Sequence, residues 1–350
     1  MQISAQDARA LFTQYLADFY REMSLLVPTG FLQSFFTEVE NSTLTISLEV
    51  ERGYEKVAVD VARGTEGNRN DFSNTTYKQF KPPYYREWFD KTDLALYDRL
   101  IGSTDITEGM FVAIMEEVAD KLVILQKKIM RAYELQCAQV FETGIVTLNE
   151  GINIDFKRKA GSLVNLGAGN YWASAVNPYD TLEAGANFVR QTGKAQGGTV
   201  NVLFGSTAWS DFLKNATVLA RADIRNFQLD NVRMPQRNSV GASLMGEVAI
   251  GSYRALLWTY PEFYDNANNV STPYMNPKKV VVLPEAPRFK LAYAAVPQLI
   301  DEDNPTPKKG RFVIDEYKDP RKVSHVYDVK SAGVAIPVAV DQIYTVQVVA

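Results

Sequence analysis

The chain has 350 residues, 46% of them hydrophobic and 22% charged, with a formal net charge of −4 at pH 7. That length holds one large domain or two ordinary ones with a real core, and the mild acidity argues against tight phosphate-backbone binding, which needs clustered Lys and Arg. One cysteine, Cys137, excludes an intramolecular disulfide, and together with a single histidine, His325, it excludes a structural zinc site of Cys and His ligands.

The first residues, MQISAQDARALFTQYLADFYREM, carry scattered acids and no basic head before an apolar run, so they do not read as a secretory signal. No window approaches the roughly 18 uninterrupted apolar residues of a membrane span. Within 5–22, Ala8, Leu11, Phe12, Tyr15, Leu16 and Phe19 fall at helical spacing. This short amphipathic arm suits docking on its own core or on another subunit.

Residues 43–62, TLTISLEVERGYEKVAVDVA, alternate apolar and polar in two runs around Gly53, which predicts paired strands. The stretch RGTEGNRNDFSNTTYKQ (63–79) is polar and too long for a tight hairpin turn; such an excursion is usually functional or mobile. KPPYY (81–85) stops any regular element.

Residues 109–141 contain no proline and no glycine after Gly109. A continuous helix there spans about 48 Å at about 1.5 Å per residue, far beyond the ordinary globular helix of about 11–12 residues. Asp105 and Glu108 have capping-box spacing, and Gly144 suits the C′ position. Phe111, Ile114, Met115, Val118, Leu122, Leu125, Ile129, Tyr133, Cys137 and Val140 form one apolar stripe. Glu116, Glu117, Asp120, Lys121, Lys127, Lys128, Arg131 and Glu134 mark much of the other side.

The remainder alternates between patterns. Residues 181–194 and 206–215 read as helices, the second with Ser206 or Thr207 near its cap. Residues 199–205, 247–260 and 278–285 read as strands, which gives an α/β or α+β unit. The end, 333–350, is β-like, with Pro337 marking an edge or a bulge.

No catalytic constellation stands out. His325 lies in a strand-like KVSHVYDV and reads as structural. No G-x-S-x-G is present, and Cys137 sits on the apolar stripe, where a thiol is inert. GAGNYW (167–172) lacks the third glycine of a dinucleotide fingerprint. The acids Asp301, Glu302 and Asp303 do not match a calcium loop, because Thr306 occupies its glycine position. Converging carboxylates remain open as a source of acid–base chemistry. An arm, a long loop and a rod are hard to stabilise within one globule, and they favour an assembly protein.

The order GFLQSFF (30–36), paired strands and polar loop, KPPYY, unbroken helix, GINIDFKRKAG (151–161), PRFKLAYAAVPQ (287–298), FVIDEYKDPRK (312–322) and VDQIYTVQVV (340–349) resembles the major capsid protein of lambda-like tailed bacteriophages, the capsid protein E family. Nearly the whole chain takes part; residues 180–290 match by pattern more than by identity. The resemblance implies an α+β Hong Kong 97-like fold. Its parts would be an N-terminal arm at 1–28, a P-domain part at 29–43 and an E-loop at 44–80. A P-domain at 81–180 would carry a spine helix over 107–142. An A-domain at 181–318 and return strands at 319–350 would follow.

It further implies hexamers and pentamers closing into an icosahedral head around double-stranded DNA, with no sequence-specific contact to that DNA and no membrane. Scaffolding and portal proteins would be partners, with a decoration protein a further one. The location would be the virion capsid, reached through the host cytoplasm during assembly. No cofactor, metal or catalytic residue is implied. Candidate intersubunit contacts are Phe12, Tyr15 and Phe19 on the arm and Arg63, Glu66 and Arg69 on the E-loop. Lys308, Lys309, Arg311, Asp315 and Glu316 join them from the charged loop 301–322, where a solvated loop is the equal alternative. Two other readings stand beside this one: an encapsulin-like shell with the same fold, and an enzyme using converging carboxylates.

Overall fold

The computed structural model describes residues 30–51, 75–80, 82–92, 108–148, 153–174, 176–223, 236–237, 241–266, 268–301, 304–319 and 324–350. In chain order, the first part contains β1 (Phe36–Glu40), β2 (Ile46–Glu51), β3 (Thr75–Phe80), β4 (Tyr85–Thr92), α1 (Glu108–Glu142), β5 (Ile145–Val146), β6 (Ile154–Asp155) and β7 (Leu163–Asn165). The middle contains α2 (Pro178–Gln191), β8 (Thr199–Phe204), α3 (Ser206–Lys214), α4 (Ala216–Asp223), β9 (Gln236–Arg237), β10 (Ser243–Ile250), β11 (Tyr253–Thr259), β12 (Phe263–Asp265), β13 (Ser271–Pro273) and β14 (Lys279–Pro284). The last part contains β15 (Phe289–Tyr293), β16 (Val296–Asp301), β17 (Asn304–Lys308), β18 (Val313–Asp319), β19 (Ser324–Ser331), β20 (Gly333–Pro337) and β21 (Tyr344–Gln347).

Helix α1 is a single run of 35 residues, about 52 Å long at about 1.5 Å per residue. Val118, Leu122, Ile129, Tyr133, Cys137 and Val140 are buried along the expected stripe, while Asp120, Lys121, Lys127, Lys128 and Arg131 are exposed. Glu134 departs from the expected pattern. Its spacing predicts the charged side, but it is only 3% exposed, because residues 30–35 fold over that part of the helix. The helix ends as its glycine predicts: Gly144 has φ +74°, and its N–H donates to the carbonyls of Gln139 and Val140, both at 3.1 Å. Asp105, the expected N-cap, lies outside the described residues, as do the second run of the predicted strand pair (57–61) and most of the polar loop.

Among the described residues, the largest sheet has seven strands in the order β7-β21-β14-β8-β11-β10-β9. Its central strands, TVNVLF and KVVVLP, are near-continuous apolar runs, the mark of strands covered on both faces. Their alternation divides them between two cores. Leu203, Val281 and Leu283 point toward α1, and Val200, Val202, Phe204, Val280 and Val282 point toward α2 and α3. The sheet is thus a shared wall. A second sheet, β1-β15-β20, pairs β1 in parallel with β15 and lies on α1 with Phe36, Phe289 and Phe141 in ring contact. Pro337 ends the edge strand β20, where no further ladder N–H is required.

Four local expectations change. The partner of β2 is β3, with Ile46 opposite Phe80 and Glu51 opposite Thr75. Part of the stretch read as polar loop is therefore strand, since TTYKQF has enough Thr and aromatic residues to hold one. Within the charged segment 301–322, residues 304–308 are the second strand of the β16–β17 hairpin and residues 313–319 are β18. Helix α3 is entered from Gly205, whose neighbours Ser206 and Thr207 make no side-chain cap. A Cβ at Gly205 would collide with the backbone of Asn276 and Pro277, so close strand packing governs that position. Finally, the boundary drawn at 318/319 falls inside β18. The last strand, β21, lies in the seven-stranded sheet with β8 and β14, through pairings set by two-sided burial and not by chain order.

Candidate functional site

Among the described residues, His325 is occupied and Cys137 is enclosed. His325 sits on β19 with Nδ1 3.2 Å from Glu316 Oε1. Cys137 is fully buried, and burial pushes its thiol well above the ordinary value, so it is not a thiolate nucleophile. No group of three or more His, Cys, Asp or Glu able to hold a metal ion occurs among the described residues. A cleft of about 360 Å³ is lined by Trp172, Asp211, Lys214 and Asn215. Its Asn215 is committed to local structure: Nδ2 donates to Trp172 O and Val176 O, both at 2.9 Å, and Oδ1 accepts from Thr217 N–H. The GAGNYW segment is a turn, with Gly167 and Gly169 at positive φ, ending in the fully buried Trp172.

The described residues also form two ribbons and a sheet beside α1. The hairpins β2–β3 and β16–β17 are each two-stranded among the described residues. The sheet β4-β19-β18 lays one face on α1: Phe89 stacks on Tyr327 with centroids 5.3 Å apart, Lys121 lies over the Phe89 ring, and Lys128 pairs with Glu87 at 2.7 Å.

The predicted contact residues are placed as follows. Phe12, Tyr15, Phe19, Arg63, Glu66 and Arg69 lie outside the described residues. Lys308 and Lys309 are exposed at the end of β17, with Lys309 Nζ 4.0 Å from Glu40. Arg311 is partly buried and reaches Glu38 at 3.4 Å. Asp315 pairs with Lys330, and Glu316 faces His325. Of these, Lys309, Arg311, Asp315 and Glu316 meet partners within the chain.

Residues that the sequence did not mark as contacts hold the elements together. Glu134 Oε1 accepts the Leu32 N–H at 2.8 Å, and Oε2 accepts the Gln33 N–H at 3.3 Å. Arg158 donates to Phe141 O (2.8 Å), Ile343 O (2.9 Å), Ser162 O (2.9 Å) and Thr345 Oγ1 (3.1 Å). Burial lowers its guanidinium pKa to about 9, so it stays charged at neutral pH. Tyr133 hydroxyl meets Ser331 Oγ at 2.5 Å and Gln136 Nε2 donates to Tyr85 hydroxyl at 2.7 Å, fixing α1 to β19 and β4. Nothing in the local spacing announces these partners, which are on the order of 100 or more positions apart in most cases.

A 35-residue helix beside a shared seven-stranded sheet, with separate two-stranded ribbons, is an arrangement with solved counterparts. The solved structure of a protein described as the capsid protein of a prophage of Escherichia coli CFT073 matches with TM-score 0.63 at 13% identity, covering 97% of this chain and 99% of that one. A phage-related protein from Bordetella bronchiseptica RB50 matches with TM-score 0.52 at 12% identity, covering 91% and 92%. Such identities speak for the fold, which is the expected α+β Hong Kong 97-like class. Residues 13–348 match the family model described as phage major capsid protein E, and the chain belongs to that family. Its role is that of a structural major capsid protein. No curated protein sequence matches the chain.

Proposed function

We propose that this chain self-assembles through hexamers and pentamers into an icosahedral phage head that encloses double-stranded DNA. One observation carries the reading: β2 and β3 form a two-stranded ribbon that pairs with no third strand among the described residues. Such a hairpin is marginal alone in water, so a neighbouring subunit is its natural support. Residues 1–28 then serve as the arm, 44–80 as the E-loop, α1 as the spine of the P-domain and the seven-stranded sheet as the body of the A-domain. A scaffolding protein directs closure, a portal protein occupies one vertex, and a decoration protein has the outer surface available. Assembly takes place in the host cytoplasm, and the finished shell is the virion capsid. The mild acidity of the chain suits an inner wall that does not hold DNA tightly.

Electron microscopy of the expressed protein should show closed shells, and deletion of residues 63–74 should abolish them while leaving a folded subunit. Normal shells from the deletion would remove the role given to the ribbon. Lys308 and Lys309 retain their proposed role between subunits. The double substitution to Glu should impair assembly while leaving monomer melting unchanged, and unimpaired assembly would make them plain surface residues.

A further inference from the structure

The face of the β4-β19-β18 sheet turned away from α1 contains an ion cluster under aromatic side chains. The register sets Trp88 opposite Asp328 and Asp328 opposite Asp315, with Arg86 opposite Lys330 one step along, so these side chains share one face. Two acids directly opposed across strands repel. Here they are neutralised: Arg86 Nε donates to Asp328 Oδ2 at 2.8 Å, Lys330 lies 3.5 Å from the same oxygen, and Lys330 also pairs with Asp315. Arg86 continues over the cluster to donate to Tyr317 hydroxyl at 3.3 Å.

Two features of this face do not suit water. The Asp328 side chain is 0% exposed, and its Oδ1 has no hydrogen-bond partner. A buried carboxylate oxygen without a donor carries a full desolvation cost. Around it stand Tyr84, Trp88 and Tyr317, which are 49%, 52% and 44% exposed. Half-exposed Trp and Tyr beside an Arg, above a neutral ion cluster, is the composition of an interface centre and not of a solvated sheet face.

We propose that this face is a contact between two copies of the chain, in which an apolar group of the second copy packs between Trp88 and Tyr317 and covers the enclosed Asp328 cluster. The choice of a second copy rests on the capsid reading above, in which identical subunits surround each other. It also rests on charge: the cluster is balanced internally by two acids and two bases. It therefore asks for apolar cover, which a neutral patch of the same protein supplies, and not for a strongly charged partner.

The test uses the full-length chain. Trp88→Lys should leave monomer circular dichroism and melting unchanged, because the side chain is half exposed, and should lower the yield of shells at least tenfold. In a second variant, Trp88→Cys, a maleimide should label the introduced thiol in monomers and be excluded from it in shells; Cys137 is enclosed in both. Shells formed as well by Trp88→Lys as by wild type, with the introduced thiol labelled equally in shells and monomers, overturn the proposal. Protection of that thiol that appears only when a second, different protein is added overturns it too, since the occupant is then not a copy of this chain. Wild-type subunits that stay monomeric at every concentration count instead against the capsid reading itself.

Discussion

Glu134→Ala should lower stability by roughly 3–5 kcal/mol, read from denaturant unfolding, because it strands several buried donors at once. The Leu32 and Gln33 N–H groups lose their acceptor, and the Tyr260 hydroxyl loses the carboxylate it bonds. The approach is close enough that a Cβ at Gly30 would overlap Glu134 Oε2, so Gly30→Ala should fail by the reverse route, pushing the carboxylate away. Glu134→Gln keeps an acceptor and should cost much less. It also exposes a pH dependence. Burial raises the Glu134 pKa above its ordinary value of 4.5, against the lowering effect of its hydrogen bonds to Leu32, Tyr260 and Gln33. Tyr260, Tyr274 and Cys137 face the same carboxylate. A raised folded-state value means the protonated form favours the fold. That contribution is complete below the unfolded value and is lost as pH rises through the folded one. Wild type should therefore lose stability relative to Glu134→Gln as pH increases from about 4.3, and a pH-independent difference between the two would contradict the assignment.

Arg158→Ala should cost about as much, roughly 3–5 kcal/mol in the same measurement. One planar guanidinium serves Phe141 at the end of α1, Ser162 before β7, and Ile343 and Thr345 at the last strand. Arg158→Lys should recover only a minority of the loss, since an ammonium lacks the fork that spans these acceptors. A lysine variant as stable as wild type would show that charge alone matters there. Gly144 belongs to the same junction. Its φ of +74° already disfavours a side chain, and a Cβ would run into the Arg158 side chain.

Much of this architecture was legible in the residues, and the reasons differ by element. Helix α1 announced itself through length, stripe and terminal glycine, because helical order is local. β8 and β14 announced themselves as apolar runs. β4 did not. Along YREWFDKT each face mixes charge with an aromatic ring, Arg86 with Trp88 on one side and Glu87 with Phe89 on the other, so no alternation marks it. The pairing of β1 with β15 and of β21 with β7 was equally hidden, because parallel partners are chosen by shared burial at long range. The candidate contacts on 308–316 were found by charge density, a signal that does not distinguish partners within a chain from partners outside it. Glu134, Arg158 and Asp328 could not be found that way, since a buried ionic residue looks in sequence like any surface one.

The parallel pairing of β1 with β15 also bears on how the protein is made. Phe36 is registered against Phe289, and the buried side of α1 waits for the same late strands, with Tyr133 closing on Tyr293 and Ser331. During synthesis, the ribosome releases α1 long before β15, β19 and β20 exist, although β1 and β4 are already made. The nascent chain must then carry a partly uncovered apolar stripe for most of its remaining elongation, a condition that slows folding and invites aggregation. Correct maturation of the subunit is therefore tied to completion of its C-terminal quarter. A truncated product would lack these covering strands and so could not complete the tile.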